Sequence, residues 1–170
     1  MRMWAWILLT LCLTACGFHL RGNMPLAEPL HHLYVQSSDP YSELVRNLKQ
    51  ALKLSGVELT GTPVEATTIL DIMHEDQGQQ MVSVSGTQQT RQYNLTLSVT
   101  FRVTDNNNKV LVPEQTATET AAITIQANEV LAGSNEATNI YQQMRRAIVF
   151  DIMYRLASKS TAKQLLVSPR

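Results

Sequence analysis

Residues 93–104 read YNLTLSVTFRVT, and apolar and polar side chains alternate along the whole stretch. A period of two is typical of a β-strand that has one face on a hydrophobic core and the other face in water. The apolar positions are Tyr93, Leu95, Leu97, Val99, Phe101 and Val103. This stretch therefore predicts a central strand of an antiparallel sheet that is covered on one face only.

The segments on either side predict the neighbouring strands. Residues 81–85 precede a turn at Gly86 and Thr87, and they are expected to pair with the central strand. The polar run at residues 105–108 is a second turn, which leads to a strand at about residues 116–125. Upstream, a first strand is predicted at residues 30–36. Weaker alternation predicts two further strand segments, at residues 57–60 and 69–74.

Two amphipathic helices are predicted to flank these strands. The first has Asp39 as its expected N-cap, Pro40 as its first helical residue and Gly56 as its C-terminal stop. The second spans about residues 135–157. Helical spacing places these apolar residues on the core-facing sides: Leu44, Val45, Leu48, Ala51 and Leu52 in the first helix, and Ala137, Ile140, Tyr141, Met144, Ile148 and Ile152 in the second. The expected fold is an α+β two-layer sandwich, with two helices on one face of a four-stranded, mostly antiparallel sheet.

The amino terminus has the pattern of an export signal. Arg2 precedes an apolar run at residues 3–13, which is shorter than the roughly 20 apolar residues that a spanning helix needs. The run ends in Leu-Thr-Ala-Cys at residues 13–16, which resembles the lipobox of bacterial lipoproteins. Residues 1–15 are therefore expected to be removed, and Cys16 is expected to carry N-acyl and S-diacylglycerol lipid. The alternative is an ordinary signal peptide, cleaved after Ala15, that leaves a free thiol.

The cysteine count favours the lipid reading. The only other cysteine, Cys12, lies in the discarded segment and leaves Cys16 without a disulfide partner. The residue after the anchor is Gly17 and not an aspartate. Lipoproteins that resemble this one in lacking that aspartate are sorted to the outer membrane. We therefore expect the chain to be lipid-anchored on the periplasmic side of the outer membrane.

Length and charge limit the remaining organisation. About 155 residues follow the signal, which suits one domain with one core. We expect a connector at residues 16–30, a domain at residues 31–158 and a frayed, flexible tail at residues 159–170. The 14 Lys and Arg residues balance 14 Asp and Glu residues, so no nucleic-acid partner is indicated. Charged residues make up only 16% of the chain, against about 25% in an average domain.

No catalytic or metal-binding pattern stands out, and no cofactor is indicated. His31 and His32 are adjacent on a predicted strand, so their side chains point to opposite faces. Residues 74–76 read His-Glu-Asp, but they precede Gln77 and Gly78 in what is predicted to be a loop. Ser83 and Ser85 lack the strand-to-helix turn of a nucleophile elbow. The pattern predicts a non-enzymatic binding or assembly protein without a metal.

Four short stretches carry a resemblance that covers nearly all of the mature chain. They are CGFHLRG at residues 16–22, LSGVEL at residues 54–59, YNLTL at residues 93–97 and VLA at residues 130–132. With the lipobox and the order of elements, these make the chain similar to LptE, the lipopolysaccharide-assembly lipoprotein family. The resemblance implies a plug inside the LptD outer-membrane barrel that supports assembly of the barrel and contacts lipopolysaccharide.

The resemblance also directs attention to two kinds of site residue. Basic residues near the strand loops are expected to meet lipopolysaccharide, and the nearest candidates are Arg91 and Lys109. The outward positions of the central strand, Asn94, Thr96, Ser98 and Thr100, suit the confined polar lumen of a barrel. The alternative for that face is ordinary hydration, since Ser and Thr are common on strands.

Two other classes of function stay open at this point. The chain could be a peripheral periplasmic lipoprotein that serves as an auxiliary subunit of another envelope transport machine. It could also be a lipid-anchored hydrolase, although that reading requires a catalytic cluster that the sequence does not present.

Overall fold

The computed structural model describes residues 26–86, 90–126 and 130–167. The strands are β1 His32–Ser37, β2 Glu58–Leu59, β3 Thr68–Val84, β4 Thr90–Asp105 and β5 Val110–Gln126. The α-helices are α1 Glu43–Leu54, α2 Val130–Leu156 and α3 Lys159–Val167, and single 3-10 turns lie at Glu28–Leu30 and Pro63–Glu65. The predicted signal peptide, Cys16 and Thr87 lie outside the described residues.

The strands form one five-stranded sheet in the order β2-β1-β3-β4-β5. β1 is parallel to both of its neighbours, whereas β3, β4 and β5 form an antiparallel meander. The α+β class is confirmed, but the prediction of four mostly antiparallel strands and two helices is wrong in detail. β2 lies within the strand segment predicted at residues 57–60, and it adds a fifth strand because the α1 crossover returns the chain parallel to β1.

β4 confirms the alternation from which the fold was predicted. Its apolar positions from Leu95 to Val103 have no exposed surface, and they join one core with the buried stripes of α1 and α2. The intervening positions lie on the opposite face, where Asn94 is exposed and Thr96, Ser98 and Thr100 are half-buried. The sheet therefore has one face on the core and one face that neither α1 nor α2 covers.

β3 continues through the loop that was predicted at residues 74–78. It is a single strand of 17 residues, with small register shifts against β4 near Met73 and Val82. Almost every side chain from His74 to Val84 is exposed, on both faces of the strand. Without a buried face the sequence shows no alternation, and backbone pairing with β4 holds this part of the strand in place.

The start of α1 lies three residues later than predicted. Ser42 is the N-cap, and its hydroxyl accepts a hydrogen bond from the Val45 amide at 3.2 Å. Asp39 instead accepts from the Tyr41 amide at 3.1 Å, so it closes the turn before the helix. Gly56 follows the last turn with a φ of 83°, which confirms it as the stop.

The predicted frayed tail is wrong for residues 159–167, which form α3. The Thr161 hydroxyl donates to the Arg155 carbonyl at 2.8 Å, and the Ser158 hydroxyl accepts from the Thr161 amide at 3.2 Å. Leu165 is buried in the core. The buried Leu165 and the Ser158 cap hold this segment against the domain. Neither feature produces a long helical spacing of apolar residues in the sequence.

Candidate functional site

The face of the sheet opposite α1 and α2 is a polar surface with few charges. It is built from the outward positions of β4 and their partners on β5, and cross-strand partners share a face. The Ser98 and Thr118 hydroxyl oxygens are 3.2 Å apart, and those of Thr100 and Thr116 are 3.1 Å apart. We call this surface the hydroxyl face: Asn94, Thr96, Ser98, Thr100, Thr116, Thr118 and Thr120.

Charged groups lie at the borders of the hydroxyl face. On β3, His74 and Asp76 are exposed opposite Thr100 and Ser98, and therefore border the hydroxyls. Further along, Arg102 binds Asp71 through its Nε and Nη2 atoms, each 3.0 Å from the same carboxylate oxygen. The seven residues of the hydroxyl face carry no ionisable side chain, so the polar interactions that their side chains can offer are hydrogen bonds.

The two basic candidates do not belong to one binding site. Arg91 lies at the start of β4, whereas Lys109 follows the turn at its other end. Fourteen positions of extended chain separate Arg91 from Asp105, whose amide donates to the Lys109 carbonyl at 2.9 Å, so the two basic residues lie about 45 Å apart. Arg91 pairs with Val84 and Ile125 at positions that share the side of the sheet with Leu95, so its side chain is not on the hydroxyl face.

The turn at Lys109 is built by an aspartate. The Asp105 carboxylate accepts from the Asn107 amide at 2.9 Å and from the Lys109 amide at 2.8 Å. Asn108 adopts a φ of 62°, a left-handed conformation that asparagine tolerates better than most residues. The turn predicted at residues 105–108 is thereby confirmed.

A charged junction that the sequence did not reveal joins three elements. Arg145 of α2 donates from Nε to the Glu75 carboxylate of β3 at 2.9 Å, and its Nη1 lies 3.5 Å from the Glu43 carboxylate of α1. Only 15% of the Arg145 side chain is exposed. One turn earlier, the Tyr141 hydroxyl donates to the Gly78 carbonyl at 2.7 Å, and desolvation by burial raises the pKa of Tyr141.

This junction forms one wall of a cleft of about 400 Å³. The cleft lies where β1 ends, between the start of α1 and the middle of β3. No signal in the sequence links Arg145 to residues 70 and 102 positions away, because only the tertiary fold brings the three charges together. The cleft is lined mainly by polar residues.

The remaining candidates for chemistry have structural partners. His32 Nδ1 lies 3.1 Å from the Glu58 carboxylate, and His31 Nε2 lies 3.3 Å from the Leu26 carbonyl. The Ser83 hydroxyl donates to Gln92, and the Ser85 hydroxyl accepts from the Thr90 amide in the hairpin. Across residues 26–86, 90–126 and 130–167, no group of three or more His, Cys, Asp and Glu side chains could hold a metal ion.

Comparison with known proteins identifies the family. A model of the LptE family, described as lipopolysaccharide-assembly, matches residues 30–156. The chain belongs to the LptE family. That family is described by lipopolysaccharide assembly and not by a catalysed reaction.

Curated relatives carry the same family name. Proteins named LPS-assembly lipoprotein LptE from Yersinia enterocolitica and Photorhabdus laumondii are 35% identical over 97 residues and 32% identical over 96 residues. The matches cover 56% of this LptE-family chain, and 47% and 53% of those relatives. The chain therefore spans about half the length of the curated relatives it matches.

Solved structures share the fold. A lipoprotein B from Nitrosomonas europaea has a TM-score of 0.70 at 21% identity, and the match covers 86% of this chain and 94% of that one. The rare lipoprotein B from Shewanella oneidensis has a TM-score of 0.61 at 23% identity, with 78% and 98% covered. Among the helices of the described part of this LptE-family chain, none is long and apolar enough to cross a membrane.

Proposed function

We propose that this chain is a non-enzymatic lipoprotein on the periplasmic side of the outer membrane, where it plugs the LptD barrel and supports its assembly. We propose further that it contacts lipopolysaccharide during delivery to the outer leaflet. Membership of a lipopolysaccharide-assembly family supports this role. The observation that carries the plug proposal is the hydroxyl face, an uncharged hydrogen-bonding surface along the long strands.

Hydroxyl groups suit a confined polar lumen for a physical reason. A serine or threonine hydroxyl both donates and accepts, so it can bond to whatever polar group or trapped water the barrel wall presents. A lysine or glutamate at the same position would lose hydration on entry, and desolvation of a charge costs several kcal/mol unless it is paired. A sheet surface that faces bulk water more often carries mixed charges for solubility.

The anchor belongs to the same proposal. Residues 1–15 are removed, Cys16 carries the lipid, and residues 16–30 connect it to the folded domain. Two or more acyl chains hold a protein stably at a membrane, whereas one chain binds only marginally. Leu26 is ten positions beyond Cys16 and is already buried in the core, so the chain between these two residues holds the folded domain within about 35 Å of the anchor.

The lipopolysaccharide contacts are assigned to Arg91 and Lys109 as separate points. Their separation along β4 means that one headgroup cannot bridge both of them. Arg91 has Val84 as its strand neighbour, and Met81 lies nearby, so a cation there borders exposed apolar side chains. A phosphorylated, acylated ligand matches both features, because its phosphate can bind the arginine and its acyl chains can contact the apolar side chains.

Photo-crosslinking in intact cells tests the plug. A photoreactive residue is placed at Thr96 or at Ser98 of the full chain, and a matched control is placed at Gln50, which is exposed on α1. Efficient adducts from the two strand positions to one large outer-membrane barrel protein are expected, with weaker adducts from Gln50. If neither strand position gives a protein adduct, the hydroxyl face is merely hydrated and the plug proposal is wrong.

A further inference from the structure

The outer edge of β3 is only partly occupied. β1 pairs with its first third, from Thr68 to Ile72, and stops at Ser37. Beyond that point, the described residues give β3 a neighbour on the β4 side alone, over residues 73–84. Alternate residues of such a strand direct their backbone N–H and C=O groups away from the sheet, where another strand can bind them.

This edge lacks the usual protection against strand addition. Natural edges are blunted by lysine, proline or inward charges, yet residues 77–84 contain neither a charged residue nor a proline. The opposite edge of the sheet differs in composition, because β5 contains Pro113, Glu114 and Glu119, whereas register shifts occur at both edges. The two edges are thus built differently, and the β3 edge is the one suited to pairing.

The cleft of about 400 Å³ lies in line with β1 and against this edge. Ser37 and Ser38 close one end, where β1 finishes, and Ile72, Glu75 and Gln77 of β3 form the side. A strand that entered the cleft would continue the line of β1 along β3. Apart from the Gly78 carbonyl, which accepts from the Tyr141 hydroxyl, the edge therefore presents backbone groups to an open space beside them.

We propose that the β3 edge at residues 73–84 binds an extended segment of a partner protein as an added strand. The edge supplies backbone hydrogen bonds, and side chains at the cleft supply selectivity. The cleft lining has three carboxylates, those of Asp39, Glu43 and Glu75, against the guanidinium of Arg145 and the imidazole of His74. A lysine or arginine is therefore favoured at the end of the segment beside the cleft, and uncharged residues are favoured beside residues 77–84.

This contact surface is separate from the hydroxyl face. Gln77 and Gln79 pair with Leu97 and Leu95, so their side chains lie on the opposite side of the sheet from Thr96 and Ser98. A partner could therefore cover either surface without covering the other. Binding of a peptide at the β3 edge is thus independent of which protein contacts the hydroxyl face.

Paired crosslinks test the added strand in cells that express the full chain. A photoreactive residue is placed at Gln77 in one variant and at Gln79 in another, and the crosslinked residue of the partner is mapped by mass spectrometry. Strand pairing predicts that the two adducts fall on one partner segment at positions two residues apart. The sign of that step also gives the direction of the added strand.

Three results would overturn the proposal. They are the absence of adducts at both positions while Ser98 still crosslinks, partner residues that do not step by two, and adducts to a second copy of this chain. A Met81→Lys substitution provides the matched perturbation, because a lysine at the edge opposes strand addition. It is expected to abolish the Gln77 adduct and leave the Ser98 adduct intact, whereas Glu114→Lys, at an exposed β5 position outside the hydroxyl face, is expected to leave the Gln77 adduct intact.

Discussion

Replacement of Leu97 by alanine tests the two-faced sheet most directly. Leu97 has no exposed surface and belongs to the main core cluster, while the next residue, Ser98, lies on the hydroxyl face. The change removes three buried carbon atoms, and at about 0.8 kcal/mol for each the transfer cost is about 2.4 kcal/mol. The cavity left between sheet and helices adds to this, so the free energy of unfolding should fall by about 3 to 4 kcal/mol.

Ser98→Ala is the matched control, one position along the same strand. It removes one hydroxyl contact, the 3.2 Å approach to Thr118, and leaves the core unchanged. A half-exposed hydrogen bond of this kind contributes about 0.5 kcal/mol, because water replaces the lost partner. The two neighbouring substitutions should therefore differ several-fold in their effect on stability.

Thermal unfolding of the purified variants, followed by circular dichroism, measures the difference. For a domain of this size, each kcal/mol shifts the midpoint by about 2 to 4 °C, so Leu97→Ala should lower it by about 10 °C. Ser98→Ala should lower it by about 1 to 2 °C. Equal midpoints for the two variants, or a larger loss for Ser98→Ala, would refute the assignment of the two faces.

Three further predictions concern the anchor and the charged junction. Cys16→Ala should abolish labelling by a radioactive fatty acid and leave the circular dichroism spectrum unchanged; equal labelling of the variant would contradict the anchor. Arg145→Met should lower the free energy of unfolding by about 1 to 2 kcal/mol in urea titrations, because two carboxylates lose their partner. Adding Glu75→Gln to Arg145→Met should recover part of this loss. If the double variant recovers none of it, Arg145 and Glu75 are not coupled. Because the pKa of Tyr141 is raised above its ordinary value of 10.0, the stability from its protonated hydroxyl is fully present below pH 10 and is lost as the pH rises through the raised pKa. Tyr141→Phe should therefore lose less stability above pH 10 than the parent, and parallel pH profiles would argue against this.

Local patterns predicted the parts of the fold in which one face is buried. The alternation of β4 and the apolar stripes of α1 and α2 each reflect a single core, so the sequence records them directly. The distal half of β3 is exposed on both faces, and no pattern separates such a strand from a polar loop. β2 lies within the strand segment that was predicted at residues 57–60, but its parallel pairing with β1 was not predicted. α3 was missed because it is short and owes its place to tertiary contacts.

The candidate site was predictable to a similar extent. Alternation placed Asn94, Thr96, Ser98 and Thr100 on the outer face, because the side of a strand follows from its period. The hydroxyl pairs across β4 and β5 depend on register, which alternation alone does not give. Arg91 and Lys109 are close to turns in the sequence, yet the turns lie at opposite ends of one long strand.

The meander of β3, β4 and β5 also has a consequence for the order of folding. These strands are consecutive in the chain and are joined by short turns, so their pairing closes small loops at low entropic cost. The parallel pairing of β1 with β3 joins Leu33 to Thr68 and must wait for the α1 crossover to be placed. We expect the meander to act as the folding nucleus, with β1 docking late onto an edge that is already formed.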